Sequence, residues 1–191
     1  PLLRKETLQN LIQKHKETDA CAAILTAYVD NPFGYGRIIR DNFGRIKAIV
    51  EEKDATKEQK SITEINTGII CFKKLPLFRS IAKIKPDNAK REYYLTDCIK
   101  IMAAQGLLIA SVSLKGDVRE AQGINNRIDL AHAQKTMGLR ILEKYMREGV
   151  GIIDPEATYI DYGSTIGQDT IIYPFTIIEK DVKIGKFCQI G

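Results

Sequence analysis

The sequence predicts an α/β protein: an α/β sandwich, then a connecting helix, then a parallel β-helix. Three observations carry this. Short apolar runs alternate with helical patterns as far as residue 114, the signature of helices layered on a mostly parallel sheet. A longer helical pattern then runs from Asn126 to Glu148. From Ile160 onward isoleucine recurs at every sixth residue, a period that neither an α-helix nor a simple antiparallel sheet produces.

The elements follow in order. Leu8, Leu11, Ile12 and His15 fall at helical spacing, so residues 7–15 read as an amphipathic helix with His15 on its surface. Cys21 to Val29 is an apolar run of strand length, suited to a buried sheet strand. Asn31-Pro32 and Gly34-Tyr35-Gly36 are turn chemistry, in which proline presets φ and glycine lets backbone approach a ligand closely. Arg37–Arg40 and Arg45–Val50 read as strands joined by Asp41-Asn42-Phe43-Gly44, a hairpin inserted at the sheet edge. Glu51-Glu52-Lys53-Asp54 then leaves the sheet as a charged, solvated loop. Glu64-Ile65-Asn66-Thr67-Gly68 leads into the strand Ile69–Phe72. Leu75–Ala82 and Tyr94–Gln105 suggest helices, the second stopped by Gly106, and Leu107–Leu114 another strand.

The long helix carries Ile128, Ala131, Leu139, Leu142, Tyr145 and Met146, and Gly149 ends it. His132 lies on it without a second histidine or a cysteine in ligand spacing, so a structural role is expected. Beyond it, Ile160, Ile166, Ile172, Ile178, Ile184 and Ile190 keep the six-residue period, each preceded two residues earlier by Thr158, Ser164, Thr170, Thr176, Val182 or Cys188. In a triangular parallel β-helix each hexad supplies one short strand and one corner, with isoleucine facing inward in one column. About two coils are expected, ending at Gly191 on an open β edge that favours self-association.

Bulk properties narrow the function. The chain has 191 residues, 28% of them charged and 44% hydrophobic, ordinary values for a globular domain with a small appendage. No run approaches the ~18 apolar residues that span a bilayer, and no secretion signal opens the chain. The four cysteines are scattered without a CxxC pair, as free thiols of a reducing compartment are; they outline neither a disulfide frame nor a zinc site. A net charge of +5 fits a solvated basic surface and is compatible with phosphate ligands. No nucleic-acid motif or aromatic-interleaved basic run is present.

Five segments carry a family resemblance: Tyr35-Gly36-Arg37, residues 50–56 (VEEKDAT), residues 64–68 (EINTG), residues 88–97 (NAKREYYLTD) and residues 123–127 (GINNR). In this order they resemble the sugar-1-phosphate nucleotidyltransferases, most closely the bacterial bifunctional N-acetylglucosamine-1-phosphate uridylyltransferase / glucosamine-1-phosphate acetyltransferases. The resemblance runs along essentially the whole chain, with one departure: Arg91 stands where the family usually has glycine. It implies an incomplete Rossmann-like nucleotidyltransferase domain over residues 1–125, a linker helix over 126–150, and the first coils of a left-handed β-helix over 151–191, as in the hexapeptide acyltransferases.

What the resemblance implies chemically is transfer of UMP from UTP to N-acetylglucosamine 1-phosphate, giving UDP-N-acetylglucosamine for cell-wall synthesis in the cytoplasm. The longer parent would also acetylate glucosamine 1-phosphate with acetyl-CoA and assemble as a homotrimer, with no nucleic-acid or membrane partner. Gly36 would offer its backbone to the sugar phosphate, Glu51 and Asn66 would bind the sugar hydroxyls or N-acetyl group, and Thr96 would assist. Asn125 would bind substrate and serve as one ligand of a Mg2+ ion. No residue is expected as a nucleophile or general base, because such transfer relies on positioning and charge neutralisation.

Each site residue also has a plainer reading. Glu51 is a hairpin-end carboxylate, Asn66 could close a turn, and Asn125 could cap the following helix. The family's glycine-rich nucleotide loop, and the aspartate of a GDxPLL segment whose end resembles Pro1-Leu2-Leu3, would lie upstream. The acetyltransferase site would lie in later coils around a basic histidine. The chain taken alone is therefore expected to be inactive. The alternatives are a nucleotidyltransferase for another sugar phosphate with a β-helix tail, or a non-catalytic trimerising module.

Overall fold

The structure, a computed structural model, describes residues 2–114 and 116–191; the proline of the Pro1-Leu2-Leu3 match lies outside the described residues. The chain divides into two compact units, Pro1–Gly123 and Ile124–Gly191.

The first unit is built on β1, Ala22–Tyr28, which is buried at every position but its last. Burial on both faces needs a layer on each side. On one face Ala22 and Ile24 pack with Ile38, Ile46 and Ile49 against Cys98, Ile99 and Met102 of α4, Asp97–Ala104. On the other, Ala23 and Leu25 pack against Leu11 of α1, Lys5–Glu17. His15 on that helix is half-buried rather than fully on the surface. The remaining elements are β2 (Arg37–Arg40), β3 (Ile46–Val50), the one-turn α2 (Lys57–Lys60), β4 (Glu64–Phe72), α3 (Lys74–Ile81), β5 (Ile109–Ser113) and a 3-10 turn at Val118–Ala121.

The five strands are ordered β3-β2-β4-β1-β5. The expectation of a mostly parallel sheet fails: among the described residues β1 and β5 pair in parallel, whereas β1–β4, β2–β3 and β2–β4 are antiparallel. A parallel neighbour needs a long crossover, usually through a helix. From β1 to β4 the chain offers only loops and the single turn of α2, so each strand turns back. The hairpin is correspondingly part of the sheet, because β2 pairs with β4 through Arg37 and Ile65 as well as with β3.

β4 begins five residues earlier than the sequence suggested. Its register against β1 shifts between Ile24–Ile70 and Thr26–Asn66, which places Thr67, Gly68 and Ile69 in a bulge opposite Leu25. Gly68 has a φ of +80°, a conformation that costs glycine nothing. The Thr67 hydroxyl donates to the Leu25 carbonyl at 2.8 Å. Bulges of this kind re-aim neighbouring side chains, and the neighbour here is Asn66.

The second unit joins α5, Arg127–Arg147, to seven two-residue strands: β6 (Gly151–Ile152), β7 (Tyr159–Ile160), β8 (Thr165–Ile166), β9 (Ile171–Ile172), β10 (Ile177–Ile178), β11 (Lys183–Ile184) and β12 (Gln189–Ile190). They pair in parallel as β7–β10, β8–β11, β9–β12 and β6–β9. Ile160 thus stacks on Ile178, Ile166 on Ile184 and Ile172 on Ile190. The expected single column is therefore three ladders sharing one core. Each hexad forms one side, so a residue's vertical neighbour lies three hexads away. Residues 163, 169, 175, 181 and 187 all have φ between 58° and 100°, which marks a turn once per hexad. Thr158, Ser164 and Thr170 are buried beside the isoleucines.

α5 is no separate connector. Leu142 and Tyr145 lie in the same cluster as Ile160, Ile166, Ile172 and Ile178, and the Tyr145 hydroxyl bonds the Ser164 carbonyl. His132 is exposed on this helix. Ile172 is fully buried at the centre of the cluster. Ile172→Asp places an unpaired charge there and should cost roughly 4 kcal/mol or more, enough to unfold the second unit. Chemical denaturation with hydrogen exchange checks this; unchanged protection over residues 150–191 would count against the packing described.

Candidate functional site

The site starts from hairpin geometry. Asp41 Oδ1 accepts from the amides of Phe43 and Arg45, each at 2.9 Å, and closes the turn between β2 and β3. That fixes the register Arg37–Val50 and Ile38–Ile49. One step earlier, Gly36 comes opposite Glu51. On its other side the Gly36 carbonyl accepts from the Asn66 amide at 2.8 Å. Glu51, Gly36 and Asn66 thereby form one row across three strands.

The contacts within the row are close. A Cβ on Gly36 would sit 2.9 Å from Ile49 Cγ2 and 3.3 Å from each carboxylate oxygen of Glu51. Ile49 is buried, so there is no room for a side chain at this position. The Thr96 hydroxyl donates to Glu51 Oε1 at 3.0 Å and fixes the carboxylate from the side of α4. Asn66 Oδ1 accepts from the Gly68 amide at 3.1 Å, inside the bulge. Four of the five residues predicted from the sequence, Gly36, Glu51, Asn66 and Thr96, therefore converge on one region.

Asn125 belongs to the second unit. Asn126, one residue on, is the cap of α5: its Oδ1 accepts from the Asp129 amide at 2.9 Å. The alternative reading of Asn125 as the cap is thus off by one position. Asn125 donates its backbone amide to Asp129 Oδ2 at 3.0 Å, and its exposed side chain stays out of the cap. A single amide oxygen is a suitable hard donor for magnesium but not a standing site. Among the described residues, no group of three or more His, Cys, Asp or Glu could hold a metal ion. The cysteines are free, with Cys98 buried and the other three half-buried.

Of the segment expected as a solvated loop, Lys53 and Asp54 are exposed, whereas Glu51 and Glu52 are half-buried. Arg37 is 1% exposed; its Nη2 donates to Glu52 Oε2 at 2.6 Å, and its Nη1 donates to the Tyr35 carbonyl. Glu52 also accepts from the Gly34 amide at 3.3 Å. The Arg37 guanidinium holds the Glu52 carboxyl below the usual range, against the opposing effect of burial. Asp54 Oδ1 accepts from the Ala89 amide at 2.8 Å and tethers the loop that follows Pro86. Arg37, Glu52 and Asp54 escaped the sequence reading. All three lie inside the Tyr35-Gly36-Arg37 and 50–56 segments that carry the resemblance, but charge at a strand end usually marks solvent.

A cleft of about 830 Å³ shares Glu51 with the row and is otherwise lined by other residues, among them Asp54, Arg91, Tyr94, Asp97 and Lys100. Burial pushes the Asp97 carboxyl up, and the nearby Asp54 carboxylate adds to this. Burial raises the Tyr94 phenol too, with Asp54 and Glu92 contributing. Asn88 Oδ1 accepts from the amides of Lys90 and Glu92 at 3.2 and 3.1 Å, so the loop on the cleft's rim is cross-braced. Arg91, within it, has a φ of 55°. The loop thus keeps at Arg91 a backbone conformation natural to the glycine expected there. The arrangement presents a carboxylate, a side-chain amide and fixed backbone within one region.

An α/β sandwich with such a row defines a class: residues 2–148 match the nucleotidyl transferase family, and the chain belongs to it. Over its whole length it is 47% identical to the bifunctional protein GlmU of Carboxydothermus hydrogenoformans, covering 43% of that protein. It is also 48% identical to bifunctional protein GlmU of Pediococcus pentosaceus and 47% to that of Enterococcus faecalis, covering 41% and 42% of them. The chain thus spans about two fifths of the length of these relatives.

One ion pair beside the row makes stability pH-dependent. Arg40 donates from Nε to Glu64 Oε2 at 2.8 Å and from Nη2 to Glu64 Oε1 at 2.7 Å, tying β2 to the start of β4. Burial would raise the Glu64 carboxyl, but the paired guanidinium outweighs it and holds the group below its ordinary value of 4.5. A depressed carboxyl contributes stability that is complete above the unfolded value and lost as pH falls through the folded one. The denaturation midpoint should therefore fall as pH drops below about 4.5, and Glu64→Gln should flatten that part of the profile. Parallel profiles for the two proteins would refute the assignment.

Proposed function

We propose that this chain forms the sugar-phosphate side of a uridylyltransferase that joins UTP and N-acetylglucosamine 1-phosphate to give UDP-N-acetylglucosamine. The observation that carries the reading is the row of Glu51, Gly36 and Asn66, braced by Thr96. Sugar recognition needs acceptors and donors fixed in place; the row supplies a carboxylate, an amide and a stretch of bare backbone. Family membership and the names of the relatives support the nucleotidyl transfer.

In this reading the in-line attack by the sugar phosphate on the α-phosphorus is promoted by orientation rather than by a covalent intermediate. Glu51 and Asn66 hold the sugar, and Gly36 lets its phosphate lie against the backbone. Magnesium would neutralise phosphate charge, arriving with the nucleotide, with Asn125 as one protein ligand. The chain by itself would not turn over UTP, since its sequence contains no glycine-rich strand-loop-helix cradle for a triphosphate.

The remaining parts belong to the same proposal. The ladders of the second unit, staggered by three hexads, support their reading as the first coils of a left-handed parallel β-helix. A longer parent would then be a cytoplasmic homotrimer that also uses acetyl-CoA to acetylate glucosamine 1-phosphate. Among the described residues no helix is long and apolar enough to cross a membrane.

The test uses a full-length protein carrying this segment. Glu51→Ala and Asn66→Ala should each lower kcat/KM for N-acetylglucosamine 1-phosphate by about 1–3 kcal/mol and leave the KM for UTP within about twofold. Unchanged kinetics toward the sugar phosphate in both variants would reject the assignment.

A further inference from the structure

Arg91 is one of two non-glycine residues with positive φ among the described residues of the first unit, the other being Asp19. Non-glycine residues with positive φ are uncommon and mildly strained, and they persist where surrounding structure enforces them. Here the enforcement is visible: Asn88 braces the backbone on both sides of Arg91, and Asp54 holds the Ala89 amide. The strained residue is nevertheless a long cation, and it is exposed.

Among the described residues the Arg91 guanidinium makes no ion pair, whereas its neighbour Lys90 pairs with Glu92 at 3.7 Å. Arg91 lines the same cleft as Glu51, Asp54 and Asp97. With Asp87, which also lines it, four carboxyl groups disfavour an anion entering the cleft, so a ligand carrying a phosphate needs cations among the lining groups. Arg91 and Lys100 supply them.

We propose that Arg91 is an anion-binding residue of this cleft, contacting the phosphate of a phosphorylated sugar. The proposal rests on the sugar-phosphate reading above and sharpens it. The planar guanidinium binds phosphate through two parallel hydrogen bonds.

The experiment titrates this chain, unaltered and as Arg91→Gly and Arg91→Lys, with N-acetylglucosamine 1-phosphate and separately with N-acetylglucosamine, by calorimetry at low and moderate salt. Arg91→Gly should weaken binding of the sugar phosphate about tenfold or more, leave the unphosphorylated sugar within about twofold, and abolish most of the salt dependence. Its thermal midpoint should stay level or rise, because glycine relieves the positive φ; a merely structural role would lower it. Arg91→Lys should fall between, since it keeps the charge and loses the fork. Equal affinity of the unaltered chain and Arg91→Gly for the sugar phosphate would overturn the proposal and leave the sugar reading standing. Failure of the unaltered chain to bind either ligand would overturn both.

Discussion

One buried guanidinium organises the first unit. Arg37 begins β2 with almost no exposure, and its two terminal nitrogens reach Glu52 and the Tyr35 carbonyl. A buried charge is tolerated only with a close partner and further hydrogen bonds. This requirement draws the strand end after β3 against the turn before β2. With those ends held together, Gly36 must lie opposite Glu51. The stretch of backbone that a ligand can approach, and the carboxylate beside it, are therefore set by an ion pair that itself stays away from the cleft.

The same economy governs β4. Its bulge at Thr67-Gly68-Ile69 resets the register against β1, so that Asn66 faces Thr26 and its amide still reaches Gly36. Without the shift, the pairing of Ile70 with Ile24 would carry Asn66 out of the row. Thr96, at the head of α4, closes the arrangement through Glu51, and α4 is itself fixed by Cys98, Ile99 and Met102 in the core. The polar row is held by apolar packing on one side and by the Arg37 clamp on the other.

Much of this was legible in the sequence, for reasons that differ by level. Elements were readable where periodicity is local: the amphipathic α1, the apolar β1, the Asp41–Gly44 hairpin and the long α5. The pairing of strands was not, because alternation of strands and helices says nothing about which way a strand runs once its connection is too short for a crossover. The Arg37–Glu52 pair was invisible for a similar reason, since burial of a charged strand end depends on what crosses it. Asn125 and Asn126 show the limit at a single position: both are good caps by type, and only the backbone decides. The choice of Gly36, Glu51, Asn66 and Thr96 came from resemblance to a family, and the structure supplied the reason they occur together.

The central claim is that this row is where a phosphorylated sugar binds. Its most direct measurement is a titration of the isotopically labelled chain with N-acetylglucosamine 1-phosphate, followed by amide chemical shifts. The account predicts saturable shifts largest at Gly36, Glu51, Asn66 and Thr96, with the amides of residues 150–191 unmoved. Shifts confined to the second unit, or scattered without reaching the row at saturating ligand, would contradict it.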